Sequence, residues 1–376
     1  MRLLMLSGDQ QVAIGERGPF YTLLEEFREH FDGIDVLVTG GGRAASTTDP
    51  FDGVRFHVGP SSRFGRVSWL ARQGTKLARA YGHGLVLSHD YGLFHNGKAA
   101  ARISAKAGVP WLSELHHVSG HPVAATRRER LELKLSERFV RWATPRVSAF
   151  RVVNSTEMPP LLEAWGVPSQ KVAVISSLYL DLEVFQPPAA PVEAQQDLIF
   201  VGRLVPNKGL DAIVSALTVL RDAGKPQRAL FVGRGPLGRW LDKEVQRVGL
   251  GRFVRRIDWV DGPEELAELY RSSRLLVCAS TSEGGPRVPL EAMACGTPVV
   301  STPVGVMGEV LADGAAGVLC EFTMSSLARS LALLLADEKK RSAMGAAGPE
   351  IAARFERSAQ IKRYADGLKK LAGESV

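Results

Sequence analysis

Short apolar runs alternate with longer amphipathic segments through the first half of the chain. The apolar runs, which are typical of buried strands, lie at residues 3–6, 35–38, 85–88, 111–115, 150–154 and 172–175. Segments with helical periodicity separate them, at residues 20–30, 68–81, 97–106 and 127–142. Because strands that alternate with helices build mainly parallel, doubly wound sheets, the pattern predicts an α/β fold.

The same alternation starts again after a proline-rich connector at residues 185–191. A chain of 376 residues is too long for one hydrophobic core, so two cores are expected. We therefore predict a first domain at residues 1–185 and a second domain at residues 186–354.

The composition is that of an ordinary globular protein, with 45% hydrophobic and 23% charged residues. No apolar run reaches about 18 residues, so we expect no membrane-spanning helix, and the opening residues predict a strand rather than a signal peptide. Cys278, Cys295 and Cys320 are odd in number and show neither metal-site spacing nor a disulfide framework. We expect them to be packing residues in a reducing, cytoplasmic setting.

Two carboxylates, Glu283 and Glu291, bracket a glycine–proline turn between a predicted buried strand (275–280) and a predicted helix (289–295). Glu283 is expected at the carboxyl end of the strand, where open α/β sheets bind ligands. Glu291 is expected in the first helical turn, among free backbone N–H groups. Amides there hold anions and carboxylates accept hydrogen bonds from hydroxyls. The segment therefore predicts a ligand with both phosphate and vicinal hydroxyls, as in a nucleotide-sugar.

A second loop carries two cations, Arg203 and Lys208, between a predicted strand (198–201) and a predicted helix (210–221). A guanidinium fork and an ammonium are the groups expected to neutralise a diphosphate. On its own the pair would more often indicate an ordinary surface loop. Next to the paired carboxylates it favours a diphosphate site.

These residues resemble the retaining, GT-B-fold glycosyltransferases of family four, the glycosyl transferases of group 1. The likeness covers residues 197–317 and includes Phe-Val-Gly-Arg-Leu at 200–204, Gly-Arg-Gly-Pro-Leu at 233–237 and the Glu-x7-Glu segment. It implies two Rossmann-like domains that face each other across a cleft. It also implies that the C-terminal helix, at about residues 355–376, crosses back to the first domain.

The resemblance implies that a hexosyl unit moves from a nucleoside-diphosphate sugar to an acceptor hydroxyl with retention of configuration. Arg203 and Lys208 would hold the diphosphate, Glu283 the donor sugar and Glu291 the ribose hydroxyls. No Asp-x-Asp motif occurs, so we expect neither a metal nor a cofactor. As the co-substrate, a UDP-sugar is favoured over a GDP-sugar. No double-displacement nucleophile is identifiable, which favours same-face attack assisted by the leaving phosphate.

Other positions are assigned through the same resemblance. A catalytic histidine is expected after the strand at 111–115, and the spacing from Pro110 favours His116 over His117. The remaining predicted donor contacts are Gly18, Gly233, Gly235, Gly285, Pro286 and Arg287. The loop at 15–19 lacks the usual paired glycines, and the turn at 176–181 lacks the usual Asn-Gly.

The sequence has four alternative interpretations. Gly233-x-Gly235-x-x-Gly238 matches a dinucleotide fingerprint, but the next strand carries Arg255 and Arg256 where that fingerprint needs an acidic residue. A phosphorylase would need a pyridoxal-binding lysine in a much longer chain. A nucleotide-sugar epimerase and a non-catalytic sugar-nucleotide-binding protein remain open.

The net charge of +7 is unevenly distributed along the chain. No acidic residue occurs between Gly53 and His89, where the basic residues are Arg55, Arg63, Arg66, Arg72, Lys76 and Arg79, interleaved with Phe64, Val67, Trp69, Leu70 and Leu77. A second basic run covers residues 127–146. Both runs are compatible with contact to anionic lipid headgroups or a phosphorylated acceptor. A solvated amphipathic helix packed on its own domain is the alternative.

No recognised nucleic-acid-binding module accompanies the charge, so we expect no nucleic acid partner. The acceptor is expected to be a glycan, a lipid-linked molecule or a small molecule. The expected location is the cytoplasm, with peripheral contact at the inner face of the membrane as a hypothesis.

Overall fold

A computed structural model describes residues 1–40, 46–60 and 65–374 of the chain. The chain forms two compact units. The first unit contains Met1–Val118, Glu132–Ser177 and the chain from Ser358 onward, and the second contains Ser119–Leu131 and Leu178–Arg357. The sequence predicts a boundary after residue 185. In the structure the chain passes from the first unit to the second after Ser177, and the short segment Ser119–Leu131 also belongs to the second unit. The last helix belongs to the first unit.

The first unit contains an eight-stranded sheet within the described residues. Its strands are β1 (Arg2–Leu6), β2 (Gly33–Thr39), β3 (Ser46–Phe51), β4 (Val54–Gly59), β5 (His83–His89), β6 (Trp111–Leu115), β7 (Ala149–Val152) and β8 (Val172–Val174). The spatial order is β3-β4-β2-β1-β5-β6-β7-β8, parallel except for the β3–β4 pair. The strand order reverses at β1, which lies between β2 and β5.

The sheet of the second unit is parallel throughout. Its strands are β9 (Gln196–Val201), β10 (Ala229–Val232), β11 (Val254–Ile257), β12 (Ser273–Cys278), β13 (Val299–Ser301) and β14 (Gly317–Leu319). The order β11-β10-β9-β12-β13-β14 is that of a dinucleotide-binding sheet, in which the strand order reverses between β9 and β12.

Helices connect the strands. They are α1 (Pro19–Phe27), α2 (Arg66–Tyr81), α3 (His95–Ala107), α4 (Arg127–Ala143), α5 (Met158–Ala164), α6 (Leu210–Asp222), α7 (Gly238–Arg247), α8 (Pro263–Arg271), α9 (Arg287–Ala294), α10 (Met307–Val310), α11 (Met324–Ala336), α12 (Glu338–Ala353) and α13 (Arg357–Leu371). Short 3-10 turns lie at Val12–Ile14, Ser169–Lys171 and Pro206–Lys208. Each unit has its own buried apolar core, as two doubly wound sheets require.

In the first unit the apolar pattern missed two strands, β3 and β4. The sequence of β3 is largely polar, because β3 is an edge strand that pairs only with β4. In β4 the apolar run is broken by Arg55 and by the buried His57, whose Nε2 lies 2.7 Å from the Asp35 carboxylate on β2. A buried polar pair therefore replaces part of the apolar signal that would have predicted the strand.

Candidate active site

The candidate donor site lies where the strand order of the second sheet reverses. The loop after β9 and the loop after β12 meet there, because these two strands are neighbours. The Asn207 side-chain amide donates to the Ser282 carbonyl oxygen at 2.9 Å, and the Thr281 backbone N–H donates to the Asn207 carbonyl oxygen at 2.8 Å. These bonds hold together two loops that are more than seventy residues apart in sequence.

Lys208 and Glu283, one from each loop, form an ion pair through Nζ and Oε1. The Ser280 hydroxyl donates to the same oxygen at 3.0 Å. The two side chains are only 18% and 19% exposed, so water screens their attraction less than it would on the open surface. The sequence predicted both residues for the site but not their pairing.

A cavity of about 170 Å³ adjoins this ion pair. Its lining residues are Phe200, Val201, Lys208, Val277, Cys278, Ser280, Glu283, Gly285, Pro286, Arg287, Val288 and Pro289. The structure thus brings together five of the predicted donor residues. The other predicted positions of this unit, Arg203, Gly233, Gly235 and Glu291, lie outside the cavity lining. Arg203 is an exposed residue in the loop after β9.

Glu291 differs from its predicted setting. Because α9 begins at Arg287 rather than at residue 289, Glu291 lies in the second helical turn and not in the first. The strand before it likewise ends at Cys278 rather than at residue 280. Glu291 is buried, and the Tyr270 hydroxyl donates to its Oε2 at 3.0 Å. Burial raises the pKa of Glu291, while Arg287 and the Tyr270 hydrogen bond act to lower it.

Gly233 and Gly235 allow the loop after β10 to pack directly on the loop after β9. A Cβ atom on Gly233 would lie 2.0 Å from the Gly202 carbonyl oxygen, and one on Gly235 would lie 2.5 Å from that of Leu204. Gly233 also has a φ of +142°, which disfavours other residues. The structure therefore gives these glycines a packing role, and their predicted approach to the donor stays a prediction.

Gly305 is a residue of this region that sequence reasoning missed. Its φ is +54°, and a Cβ atom there would lie 2.3 Å from the Gly284 carbonyl oxygen. The loop after β13 thus packs against the turn that carries Glu283. Thr302 in the same loop donates its hydroxyl to the Ser280 carbonyl oxygen at 2.5 Å. In the local sequence, the glycine itself was the only sign of this close packing.

In the first unit, His116 follows directly after β6, as predicted. Its Nε2 lies 3.2 Å from Arg151 Nη1 and 3.6 Å from Glu114 Oε2. Since the guanidinium can only donate, this arrangement requires an unprotonated Nε2. Burial lowers the pKa of His116, and the negative charge of Glu114 opposes that effect. The side chain is nevertheless 49% exposed, so the ring is accessible to a ligand.

Glu114 is the centre of a buried polar cluster beneath His116. It receives hydrogen bonds from Arg151 Nη1 at 2.7 Å and from the Tyr364 hydroxyl of α13, and His89 Nε2 lies 2.9 Å away. Burial by itself would raise the pKa of Glu114, but Arg151, His89 and His116 together outweigh burial and hold that pKa well below its usual range. Glu114 and Arg151 face each other on adjacent strands. Each of these two buried strands contains a single charged residue, and the two charges are opposite. This was the signal in the sequence that was overlooked.

Gly18 precedes the first residue of α1 and has extended backbone geometry. A Cβ atom there would meet only Gln11 Oε1, at 3.6 Å, so packing within the described residues does not require glycine.

A polar cavity of about 400 Å³ lies where the first sheet reverses its strand order. Its lining residues are Gly8, Gln10, Thr39, Arg66, Tyr91, Gly92, Leu93, His95 and Asn96.

The predicted membrane-facing surface is only partly described. Arg63 and Phe64 lie outside the described residues. The Trp69 ring packs on Gly59 of β4, where a Cβ atom would lie 2.6 Å from the ring, and Leu70 and Leu77 are buried. These apolar residues of α2 therefore face the sheet. Among the described residues, no helix combines the length and apolar character needed to cross a membrane, and no cluster of three or more potential metal ligands occurs.

Comparisons with known proteins agree across both units. Residues 20–177 match the family model for the glycosyl transferase 4-like domain, and residues 183–351 match that for glycosyl transferases group 1. A D-inositol 3-phosphate glycosyltransferase of Segniliparus rotundus is 32% identical over 340 residues, 85% of this chain and 72% of the relative. That of Stackebrandtia nassauensis is 29% identical over 81% of this chain and 72% of the relative.

Solved structures share the architecture. The sucrose-phosphate synthase of Thermosynechococcus elongatus has a TM-score of 0.78 at 20% identity, with both chains covered completely. The Anabaena HepE protein in complex with UDP has a TM-score of 0.73 at 21% identity, covering 98% of this chain and all of that one. Together with the two doubly wound sheets, these matches confirm the predicted α/β fold class of GT-B type.

Proposed function

The chain belongs to the glycosyl transferases of group 1, and we propose that it moves a hexosyl unit from a nucleoside-diphosphate sugar to an acceptor hydroxyl. We propose that transfer proceeds with retention of configuration and without a metal ion. The observation that carries the proposal is the ion pair of Lys208 with Glu283 beside a cavity at the strand reversal of the second sheet. Ligands of doubly wound sheets bind at such reversals.

In this proposal the cations stabilise the leaving group. Lys208 lines the cavity, and Arg203 is exposed in the same loop, so a diphosphate can reach both. Charge that develops on the departing diphosphate is stabilised by cations that bind the diphosphate before the bond to the sugar breaks. The cavity also lies at the start of α9, where free backbone amides add to the positive potential.

The carboxylates orient the sugar and the nucleoside. Glu283 accepts hydrogen bonds from donor-sugar hydroxyls once Lys208 turns toward the diphosphate. Glu291 Oε2 already accepts from Tyr270, and within the described part of the chain Oε1 accepts no hydrogen bond. The free oxygen is the one we assign to the ribose hydroxyls. His116 is assigned to the reacting sugar, with Glu114 and Arg151 holding its ring in place.

We assign the acceptor to the polar cavity of the first unit. Arg66 supplies a cation there, and Gln10, Tyr91 and Asn96 supply groups that bond hydroxyls. Relatives named for D-inositol 3-phosphate support a small acceptor that carries both hydroxyls and a phosphate. Glycan and lipid-linked acceptors are the alternatives to test.

A thermal-shift series with UDP-, GDP- and ADP-sugars tests the donor assignment, because a ligand that binds only the folded state stabilises it in proportion to occupancy. We expect the largest shift with a UDP-sugar. Slow release of UDP and free sugar in the absence of acceptor would support transfer chemistry. Binding without turnover would favour the non-catalytic alternative, and recovery of an isomerised nucleotide-sugar would favour the epimerase.

Chelation tests metal independence. Activity is expected to survive excess EDTA, because Lys208 and Arg203 provide the positive charge that a divalent cation would otherwise supply. Loss of activity that is restored by Mg²⁺ or Mn²⁺ would contradict this part of the proposal. Proton NMR of the initial product, before anomers equilibrate, tests retention.

A further inference from the structure

An apolar cavity in the first unit belongs to neither the donor nor the acceptor site. It measures about 430 Å³ and is enclosed by α2, α3, α4 and the loop after β5. Its lining residues are Val67, Gly92, Leu93, Phe94, Lys98, Arg102, Leu135, Arg138, Phe139 and Trp142. The volume lies within the range of small-molecule sites.

The floor of the cavity is aromatic and its mouth is open. Phe94 and Phe139 stack with ring centroids 4.2 Å apart and planes inclined by 8°. At the mouth, Leu93 is 60% exposed and Trp142 is 37% exposed. Two exposed apolar side chains beside an apolar cavity indicate a surface that binds a hydrophobic group.

The backbone at Phe94 adopts an unfavourable conformation that presents this aromatic face. Phe94 has a φ of +55°, the one positive value of a non-glycine residue within the described part of the chain. Such a conformation is disfavoured for a bulky side chain and persists only where its surroundings hold it. The next turn of α3 packs closely, since a Cβ atom on Gly97 would lie 2.5 Å from the Phe139 ring.

Basic residues line the rim of the cavity, and further basic residues lie along α2 and α3. Lys98, Arg102 and Arg138 border the cavity, and within the described residues neither Arg102 nor Arg138 forms an ion pair. Helices α2 and α3 contain no acidic residue, and their basic residues are Arg66, Arg72, Lys76, Arg79, Lys98, Arg102 and Lys106. The two helices pack closely, since a Cβ atom on Gly74 would lie 2.3 Å from the Ile103 side chain. The two packed helices therefore carry seven basic residues and no acidic one.

We propose that this cavity receives a hydrocarbon chain of an anionic phospholipid in a bilayer, while lipid phosphates contact Lys98, Arg102 and Arg138. An alkyl chain matches the apolar floor, and a phosphate matches the unpaired guanidinium groups of the rim. The seven basic residues of α2 and α3 are more than one headgroup can neutralise, which favours a bilayer over a single soluble amphiphile. Trp142 at the mouth suits the polar–apolar boundary of a membrane.

This binding site does not depend on the proposed transfer chemistry. It does place the polar cavity near the membrane, because Gly92 and Leu93 line both cavities. The acceptor would then be bound next to the lipid headgroups.

The test uses the full chain with vesicles of phosphatidylcholine alone or mixed with phosphatidylglycerol brominated on its acyl chains. Bromine quenches tryptophan fluorescence only at close contact. We expect quenching with the anionic vesicles, mostly lost in Trp142→Phe but retained in Trp259→Phe. Trp259 is a matched control because it is exposed in the second unit. Thermal melting of each variant shows that it is folded.

The rim is tested by charge reversal. Arg102→Glu should weaken binding to the anionic vesicles by about tenfold or more, since each basic residue near such a surface contributes about 1 kcal/mol. Arg329→Glu, an exposed arginine on α11, should leave binding within about twofold. If both variants lost vesicle binding equally, net charge alone would drive binding, and the proposed lipid site would be overturned.

Two further results would overturn the proposal. Quenching that is equal in wild-type protein and Trp142→Phe would place the acyl chain elsewhere. Quenching by a monomeric brominated fatty acid, with none from the vesicles, would assign the cavity to a soluble anionic amphiphile instead of a bilayer.

Discussion

The Lys208 ammonium and the Ser280 hydroxyl donate to the same carboxylate oxygen of Glu283. Lys208 is therefore held in the site by a partner that carries the opposite charge. A diphosphate would compete with Glu283 for Lys208, and the released carboxylate oxygen could then accept from sugar hydroxyls. The pair links the two halves of the proposed donor site before any ligand arrives.

Lys208→Ala should lower turnover by about 10²-fold or more, because it removes a cation that stabilises leaving-group charge. Steady-state kinetics with a UDP-sugar measure the effect, and Lys225→Ala, an exposed lysine after α6, is the matched control. Arg203→Lys should also be impaired, because an ammonium cannot reproduce the two-pronged guanidinium contact. Near-normal activity in both Lys208→Ala and Arg203→Ala would remove the donor-site assignment.

Tyr270→Phe should shift the pH dependence of donor binding. The Tyr270 hydrogen bond lowers the pKa of Glu291, so its loss should raise that pKa further. Glu291 accepts from ribose hydroxyls best when ionised, so donor affinity in the variant should begin to fall at a higher pH than in the wild type. Dissociation constants measured across the acid range check this. Superimposable pH profiles would mean that Glu291 does not contact the donor.

Gly233→Ala should destabilise the second unit by about 2–3 kcal/mol, because the new Cβ atom would lie 2.0 Å from a backbone oxygen. Gly224→Ala is the control for an open site, since Gly224 also has a positive φ, of +77°, but no atom would crowd a Cβ there, and it should lose only about 1 kcal/mol. Chemical denaturation gives both values. If the two variants were equally stable, packing of the loops after β9 and β10 would not be what requires glycine at 233.

Asp90 should make the protein less stable as the pH rises toward neutrality. Burial raises the pKa of Asp90 to about 7, although hydrogen bonds from Ser113 and Ser88, each 2.6 Å long, act to lower it. The folded state therefore keeps a proton that the unfolded state releases near its ordinary value of 3.8. The resulting stabilisation, about 4 kcal/mol at most, is complete below pH 3.8 and is lost as the pH rises through about 7.

Asp90→Asn removes this titration, so its free energy of unfolding should change less than that of the wild type between about pH 4 and pH 7. Denaturation curves across that range test the prediction. Asp261→Asn, at an exposed position, should keep the wild-type dependence. Parallel curves for Asp90→Asn and wild type would show that Asp90 is ionised in the folded protein throughout.

Periodicity identified the elements whose buried faces are purely apolar. Strand β6 has the predicted bounds and α6 ends within one residue of its prediction, because an apolar face leaves a repeating trace in a single segment. Strand β4 left no such trace, since His57 is buried against Asp35 of another strand. Pattern reasoning fails where a polar side chain is buried with a partner that lies elsewhere in the chain.

The sequence by itself determined the class of fold, the family and the residue types of the donor loops, since these depend on local spacing. Only the tertiary structure decided that Lys208 pairs with Glu283, that Tyr270 bonds Glu291 and that Tyr364 reaches Glu114 across 250 positions. It also decided that Phe94 stacks on Phe139 to form an apolar cavity. Contacts between distant segments arise from how the sheets order their strands, and that order has no counterpart in the spacing of residues along the chain.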